Sequence, residues 1–231
     1  MTSDLEGYRR PVFPGLETLK GRFATLEPIM DDRRFDELWG AYSADESADL
    51  WRWMGYGPFA SSAEFRAFAS SVYLQDGHRF HAIVSNETGR AAGVAGLFRA
   101  DLPNGVIEIG HVCLGPELQR TPAATEAFYL MMRHVLSDLG YRRLEWKCND
   151  ENVPSKRAAE RLGFTFEGVF RQHLIVKGRN RDTAWYSALD REWAKLGPAF
   201  EAWFASDNFD ADGAQKRPLG FFTSAALASG E

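Results

Sequence analysis

The sequence predicts an α/β fold of the layered α+β type, in which helices cover both faces of one mixed sheet. Two observations carry this prediction. Apolar patterns follow the order strand, two helices, three strands, helix, strand, helix and hairpin, without repeats or low-complexity segments. A length of 231 residues, 45% of them hydrophobic and 26% charged, fits one domain that buries a full core.

The composition excludes several classes of protein. The net charge is −5, so the chain lacks the basic footprint of a nucleic-acid-binding protein. No run approaches the ~18 consecutive apolar residues of a membrane span, and the N-terminus is too polar for a secretory signal. The two cysteines, Cys113 and Cys148, lie in strand-like runs, which favours a reducing compartment over a disulfide framework. We therefore expect a cytoplasmic protein with no nucleic-acid, membrane or metal partner.

The elements of the N-terminal half follow from local patterns. Residues 1–20 are predicted to form an irregular arm, because glycines and prolines interrupt them. Alternation predicts a strand at 22–29, and an apolar face at helical spacing predicts a helix at 31–44. Ser61 or Ser62, followed by Glu64, is typical of a helix start, and that helix runs to residue 73. Three strands separated by turn residues follow at 79–84, 91–98 and 106–114.

The C-terminal half is marked by caps and glycines. A helix begins after Thr121 and ends near Leu139, before Gly140. Residues 206–231 are weakly patterned, and we expect a tail that is mobile or packs on a partner. The domain is therefore predicted to span 21–205. Its remaining elements are a strand at 144–148, a short helix at 154–162, a hairpin at 164–176 and 182–189, and a helix at 193–204.

Residues 112–127, VCLGPELQRTPAATEA, predict an anion site. A strand ends at Leu114, a polar turn follows, and Thr121 and Pro122 are typical of a helix start. The small residues behind them leave backbone N–H groups free to point at an anion. Such corners also occur without a ligand, so the corner alone leaves both interpretations open. The chain has no GxxxxGK[ST] and no GxGxxG after its first strand, which argues against a P-loop or a Rossmann site.

A second segment, 149–164, reads NDENVPSKRAAERLGF. Asn152 is suited to cap a short helix that Gly163 ends, and this local geometry explains most of the residue choices. It does not explain why Asn152 and Ser155, two polar side chains, lie beside the strand at 144–148. We interpret them as candidates for a ligand site.

Together these segments resemble the GNAT superfamily of acetyl-CoA-dependent N-acyltransferases, and within it the RimJ/RimL branch. The resemblance covers about residues 20–193. It is carried by QRTPAATEA at 119–127, NVPS at 152–155, RLGFTFEG at 161–168 and YSALDREW at 186–193. It implies a splayed mixed sheet that holds acetyl-CoA between two central strands, and direct attack by a primary amine without a covalent enzyme intermediate.

The resemblance also implies roles for individual residues. Asn152 is similar to an asparagine that hydrogen-bonds the pantetheine, and Ser155 to a residue that donates a proton to the leaving thiolate. The pantetheine runs along Val112, Cys113 and Leu114, and the pyrophosphate lies on Gln119, Arg120, Thr121, Pro122, Ala123, Ala124 and Thr125.

Pro122 departs from the family pattern, which usually has glycine there, and it removes one N–H donor. We expect cofactor binding to survive, with the amides of Ala123, Ala124 and Thr125 as donors. The alternative is a non-catalytic domain that binds or senses acyl-CoA.

The general base is assigned only to a set of candidates. Glu108 and His111 lie on the strand beside the predicted cleft, but residues three apart face opposite sides unless a bulge intervenes. Each also has a structural alternative, as a salt-bridged or a packing residue. His173 is a substitute on a strand where the RimL branch has a glutamate. Tyr186 is close to a tyrosine that serves some GNAT members as an acid, although a packing role explains it equally well.

An aromatic segment is predicted to form the wall on the side of the acceptor. It contains Trp51, Arg52, Trp53 and Tyr56, and it is either a hydrophobic cover over the core or an acceptor pocket. In the second interpretation Arg52 contacts a carboxylate or a phosphate. The acceptor is then a small-molecule amine, an amino acid or a protein N-terminus. A homodimer is a further expectation, because many relatives are dimers.

Overall fold

The computed structural model describes residues 5 and 7–228 and contains an eight-stranded sheet. Its strands are β1 (Leu19–Lys20), β2 (Ala24–Pro28), β3 (Arg79–Ser85), β4 (Ala91–Asp101), β5 (Val106–Leu114), β6 (Arg143–Asn149), β7 (Thr165–Val176) and β8 (Arg179–Leu189). The helices are α1 (Phe35–Ser43), α2 (Ser62–Tyr73), α3 (Pro122–Arg133), α4 (Val153–Arg161), α5 (Asp190–Phe204) and α6 (Leu219–Ala228). The predicted α/β class with one mixed sheet is confirmed.

The sheet opens at its centre. Its strands run in the order β1-β2-β3-β4-β5-β6-β8-β7, and the pairing of β5 with β6 is parallel while the other neighbours are antiparallel. The parallel pairing extends only from Val106–Arg143 to Ile109–Trp146, although both strands continue beyond it. We call the gap between residues 110–114 of β5 and 147–149 of β6 the splay.

Two groups of helices cover the two faces of the sheet. Trp146 of β6 packs against Phe128 of α3, with ring centroids 5.4 Å apart, and this defines the α3 face. Tyr73 of α2 packs against Phe80 of β3, with centroids 4.8 Å apart, and this defines the α2 face. The ring of Phe80 also contacts His111 of β5. The splay therefore opens between an α3 face and an α2 face.

Three helix starts agree with their predicted caps. The Ser61 hydroxyl accepts from the Glu64 amide at 3.3 Å, as a helix N-cap does. The Thr121 hydroxyl accepts from the Ala124 amide at 3.1 Å, with Pro122 at the first helical position. The Asn152 side chain accepts from the Ser155 amide at 3.1 Å. Short-range capping chemistry thus fixes the starts of α2, α3 and α4.

Several boundaries differ from the predicted ones. α1 begins at Phe35 rather than at residue 31, since no side chain caps it. α3 ends at Arg133, and a π-helical turn at His134–Asp138 continues to the predicted stop. β8 begins at Arg179, three residues early, because the tight hairpin extends the pairing.

The predicted tail contains α6, which packs against α4 and α5. Leu219 and Thr223 of α6 are buried, and the Thr223 hydroxyl donates to the carbonyl of Arg161. Cys113 and Cys148 are free and buried. Within the described residues, no helix is both long enough and apolar enough to cross a membrane.

Glu126 of α3 ties the helix to the start of β2. Its buried carboxylate accepts hydrogen bonds from the amides of Arg22, Phe23 and Ala24, at 2.9, 2.5 and 2.8 Å. Charge-assisted bonds to backbone amides are stronger than neutral ones, and here they span about a hundred residues of sequence. The start of α3 is therefore held against the sheet.

Candidate active site

The turn between β5 and α3 presents backbone amides at the end of the splay. The Gln119 side chain donates to the carbonyl of Leu114 at 2.9 Å and so ties the turn to the strand. Arg120 has a left-handed φ of 62°, which aims neighbouring amides to one side as in an anion-binding nest. In the described part of the chain, the amides of Arg120, Thr121 and Ala123 have no hydrogen-bond partner. They are the donors of this corner.

The expected donors were partly wrong. The Ala124 amide donates to the Thr121 hydroxyl, and the Thr125 amide donates to the Thr121 carbonyl at 3.3 Å. The Ala124 amide is therefore bound by the helix cap and the Thr125 amide by the first turn of the helix. Of the three predicted donors, only the Ala123 amide has no partner among the described residues. The donor set therefore begins at Arg120, three residues before the first predicted donor, Ala123.

Arg161 at the end of α4 adds a positive charge to this corner. Its Nη1 donates to the Thr125 hydroxyl at 3.0 Å, and it forms no ion pair with the described residues. Burial lowers the pKa of its guanidinium. Sequence reasoning missed this role, because it used Arg161 only as the first residue of the RLGFTFEG segment and gave it no function of its own. An arginine without a carboxylate partner beside a helix start is suited to an anion.

A cavity of about 710 Å³ borders the corner, and Thr121, Pro122 and Ala123 line it together with Phe209. Its lining includes the carboxylates of Glu87, Glu117 and Asp210 but only one basic side chain, Arg22. Such a lining disfavours phosphate groups. The cavity also lies off the splay, so we do not assign it to the reaction.

A β-bulge sets the orientation of the side chains on β5. Gly96 and Val94 of β4 are two residues apart, but their partners on β5, Gly110 and Cys113, are three apart. The extra residue is accommodated at His111, whose φ is 49°. The bulge that the sequence analysis left open between Glu108 and His111 is therefore present in β5. Glu108 and His111 both point to the α2 face, where alternation alone would separate them.

Glu108 is buried and lies in an ion-pair network whose Arg99 side chain is exposed. Its Oε2 is 2.8 Å from Nη1 of Arg99 and 2.8 Å from Nζ of Lys147. Lys147 lies on the neighbouring strand β6, and its Nζ is also 2.8 Å from Oε2 of Glu145 on the same strand. Oε1 of Glu108 has no hydrogen-bond or ion-pair partner among the described residues. One oxygen thus fixes the carboxylate and leaves the other available.

His111 is held neutral beside this network. Its Nδ1 lies 3.3 Å from the hydroxyl of Tyr56, and the two rings stack with centroids 5.7 Å apart. Burial, followed by the charge of Arg99 and by His78, lowers the pKa of His111 to about 4. A neutral imidazole at neutral pH can accept a proton, and its second nitrogen is not held by Tyr56.

Ser155 lies on the α3 side of the splay. The indole N–H of Trp146 donates to its hydroxyl oxygen at 3.0 Å, and this bond leaves the hydroxyl hydrogen on the oxygen as a donor toward the neighbouring Cys148 thiol. Tyr186 is fully buried, and its hydroxyl donates to Oε1 of Glu160 at 3.3 Å. Burial raises the pKa of Tyr186, which favours the packing role over proton transfer.

His173 lies on the edge strand β7, which β6 and β8 separate from the strand of Glu108. Its Nδ1 is 3.0 Å from the Thr183 hydroxyl, and its ring lies beside Trp185. The ring of Trp185 lies 3.8 Å below the ammonium of Lys147, while its indole N–H is buried without a partner. His173 therefore lines the outer part of this side rather than its centre.

The aromatic segment meets the β7–β8 hairpin across the α2 face. The Lys177 ammonium at the hairpin tip donates to the carbonyl of Trp51 at 2.9 Å. The Trp51 ring itself is buried against Tyr42, so its side chain belongs to the core. Arg52 is exposed and lies over the ring of Trp53, at 4.9 Å from the centroid. Of the predicted acceptor residues, Tyr56 is the one that contacts the candidate base His111.

Comparisons with known proteins agree on one family. Residues 25–165 match the acetyltransferase (GNAT) domain. The crystal structure of a GCN5-related N-acetyltransferase from Brucella melitensis is 45% identical, with a TM-score of 0.92, and covers 95% of this chain and 100% of that one. The uncharacterized N-acetyltransferase p20 of Bacillus licheniformis is 29% identical over 149 residues, 63% of this chain and 83% of that protein. The microcin C7 self-immunity acetyltransferase MccE, solved with acetyl-CoA and AMP, shares the fold at 23% identity, with a TM-score of 0.63 over 73% of this chain and 93% of that one.

Proposed function

The chain belongs to the GNAT family of acetyltransferases, and from this premise we propose that it acetylates a primary amine at the splay. It is an enzyme, and its acetyl donor is acetyl-CoA. One observation carries the proposal. The free amides of the β5–α3 turn lie at the end of the same splay whose α2 face presents Glu108 and His111.

The cofactor side suits acetyl-CoA, which supplies the thioester carbon that the amine attacks. The amides of Arg120, Thr121 and Ala123 are unpaired in the described residues and Arg161 lies nearby, which supports them as the donors to the pyrophosphate. Beyond Ile109 the edge of β5 that faces β6 is unpaired, so residues 112–114 can pair with the amides of the pantetheine. Asn152 has its oxygen in the α4 cap and its side-chain N–H₂ group free for the same arm.

The α2 side suits proton removal. An ammonium has no lone pair, so attack requires a group that accepts a proton. Oε1 of Glu108 is the first candidate, because two cations hold the other oxygen and keep the carboxylate in place. His111 is the second candidate, since its low pKa keeps it unprotonated at neutral pH. The Ser155 hydroxyl is positioned to protonate the departing thiolate.

The motif at 119–127 and the segment NVPS support placement in the RimJ/RimL branch, and with it a cytoplasmic enzyme acting on free or protein-borne amines. A non-catalytic acyl-CoA-binding domain is the second candidate, and Pro122 favours it because a donor is missing at the corner.

Release of CoA thiol separates the two candidates. The full chain is incubated with acetyl-CoA and a panel of amines, amino acids and peptides, and a thiol reagent reports free CoA. We expect thiol release that depends on an acceptor, with the acetylated product visible by mass spectrometry. If folded protein binds acetyl-CoA but releases no thiol with any acceptor, the non-catalytic candidate is correct.

A further inference from the structure

Arg181 of β8 is the feature of the α2 side that the proposed reaction leaves unexplained. Its Nε is buried without a hydrogen-bond partner. Within residues 5 and 7–228 its guanidinium forms no ion pair and donates no hydrogen bond. The residue as a whole is half-buried, so its guanidinium loses part of its contact with water. A partly desolvated charge without a compensating anion is unfavourable unless a ligand completes it.

The carboxylates nearby are already occupied. Glu108 is bound by Arg99 and Lys147, and Glu145 by Lys147 and Arg143. Arg143 continues the chain of ion pairs to Glu167 on β7. Asp182, next to Arg181, accepts instead from the amide of Gln172 and the side chain of Asn180. Arg181 is therefore a surplus positive charge on this face.

Arg181 shares a face of the sheet with the candidate base. Side chains alternate along a strand, so Arg181 and Trp185 of β8 project from the same face. Trp185 pairs with Lys147 of β6, whose ammonium lies over the Trp185 ring and 2.8 Å from Oε2 of Glu108. Arg181 therefore lies on the α2 face, which also carries Glu108 and His111. Burial lowers its pKa.

The hairpin that carries Arg181 also contacts the aromatic segment. The Lys177 ammonium at the hairpin tip donates to the carbonyl of Trp51 at 2.9 Å. The ring of Tyr56, stacked on His111, and the ring of Trp185 provide apolar surface. Apolar surface with one unpaired arginine fits a compact molecule that has a single anionic group.

We propose that the acceptor amine belongs to a small molecule that also carries a carboxylate or a phosphate, and that Arg181 binds this group. The inference rests on the proposed function, because it names the class of substrate for the same site. A guanidinium offers a planar pair of donors that matches either anion. The sequence suggested Arg52 for this contact, but Arg52 is exposed and lies on Trp53, so Arg181 is better placed.

Matched acceptors test the inference. Acetyl-CoA thiol release is measured with amino acids against the corresponding amino-acid amides, and with phosphoethanolamine against ethanolamine. We expect kcat/KM to be at least about tenfold higher for the anionic member of one pair, and the two pairs distinguish carboxylate from phosphate. Amides have the less basic amine, so a preference for the carboxylate cannot come from a larger neutral fraction.

Variants assign the preference to a residue. R181Q should bring the ratio between paired acceptors close to one by raising the acceptor KM, and R181K should retain part of it. R161Q is the matched control, since it removes the unpaired arginine of the other side and should raise the KM for acetyl-CoA instead. Equal kcat/KM within both pairs, or a ratio that R181Q leaves unchanged, overturns the inference while the proposed function stands. Absence of thiol release with every acceptor overturns both. A melting curve of each variant shows whether it is folded.

Discussion

On each side of the splay lies an arginine, Arg161 or Arg181, that has no carboxylate partner among residues 5 and 7–228, yet the two sides are built differently. On the α3 side, Arg161 joins backbone amides of one short turn, residues 114–125. On the α2 side, Arg181 joins side chains contributed by β4, β5, β6 and β8. Backbone donors suit a ligand that never changes, such as acetyl-CoA. Side-chain charges can be altered one at a time, and they suit the partner that differs between relatives.

The largest expected effect is a loss of stability caused by a substitution on the α3 side. E126A removes the acceptor of three backbone amides that join α3 to β2, and buried amides without partners are costly. We expect the free energy of unfolding to fall by about 3–5 kcal/mol in urea titrations. E201A is the matched control, because Glu201 is exposed and within the described residues accepts a hydrogen bond only from Tyr129, and it should cost less than about 1 kcal/mol. Equal losses in the two variants would show that Glu126 does not anchor the helix.

The next largest effect is a loss of kcat caused by a substitution on the α2 side. E108Q should lower kcat by about a hundredfold, because the amide cannot accept the proton of the amine. E145Q is its control: Glu145 pairs with Glu108 across β5 and β6 and contacts the same lysine. Both variants weaken the Lys147 network, but only the first removes the candidate base. If stopped assays give similar kcat values for the two variants, Glu108 acts through structure and His111 becomes the base.

A smaller effect separates the sides. R161Q removes the cation beside the first turn of α3, and we expect the KM for acetyl-CoA to rise about tenfold. The acceptor KM should change far less, since Arg161 lies on the opposite face from Glu108. Initial rates at varied acetyl-CoA and varied acceptor give both constants. A parallel rise of both KM values would mean that the two sides are not independent.

The smallest effect sharpens the α3 side. P122A restores one backbone N–H at the helix start while keeping a residue that favours the helix. We expect acetyl-CoA to bind a few-fold more tightly, as one added hydrogen bond to a charged group allows. P103A, in the exposed turn before β5, controls for the loss of a proline elsewhere. Calorimetry that finds weaker binding to P122A would show that the rigid helix start matters more than the donor.

The same comparison explains what the sequence could predict. Caps at Ser61, Thr121 and Asn152 depend on residues three apart, so the helix starts and the corner were accessible to local reasoning. The predicted amide donors of the corner were partly wrong, because the cap residue Thr121 itself accepts a hydrogen bond from the amide of Ala124. α6 escaped prediction, since its residues lack a clear apolar period and α4 and α5 hold it in place.

The α2 side depends on contacts between distant residues. The bulge at His111 has no local marker, because it is fixed by the pairing of β5 with β4. The network of Arg99, Glu108 and Lys147 requires three strands to be assembled before any of its charges meet. In the sequence Arg181 is one of several basic residues of the same hairpin, and what distinguishes it is that no described residue pairs with it in the folded chain. Tertiary pairing, not local propensity, created these sites.

Calorimetric titration of the wild-type chain tests the central claim most directly, namely that the β5–α3 turn binds acetyl-CoA through its pyrophosphate. Acetyl-CoA and acetyl-pantetheine, which lacks the pyrophosphate and the nucleotide, are compared under the same conditions. The account predicts one-to-one binding of acetyl-CoA with a micromolar Kd, and binding of acetyl-pantetheine that is at least about a hundredfold weaker. A flat acetyl-CoA titration with folded protein, or equal affinity for the two ligands, would contradict it.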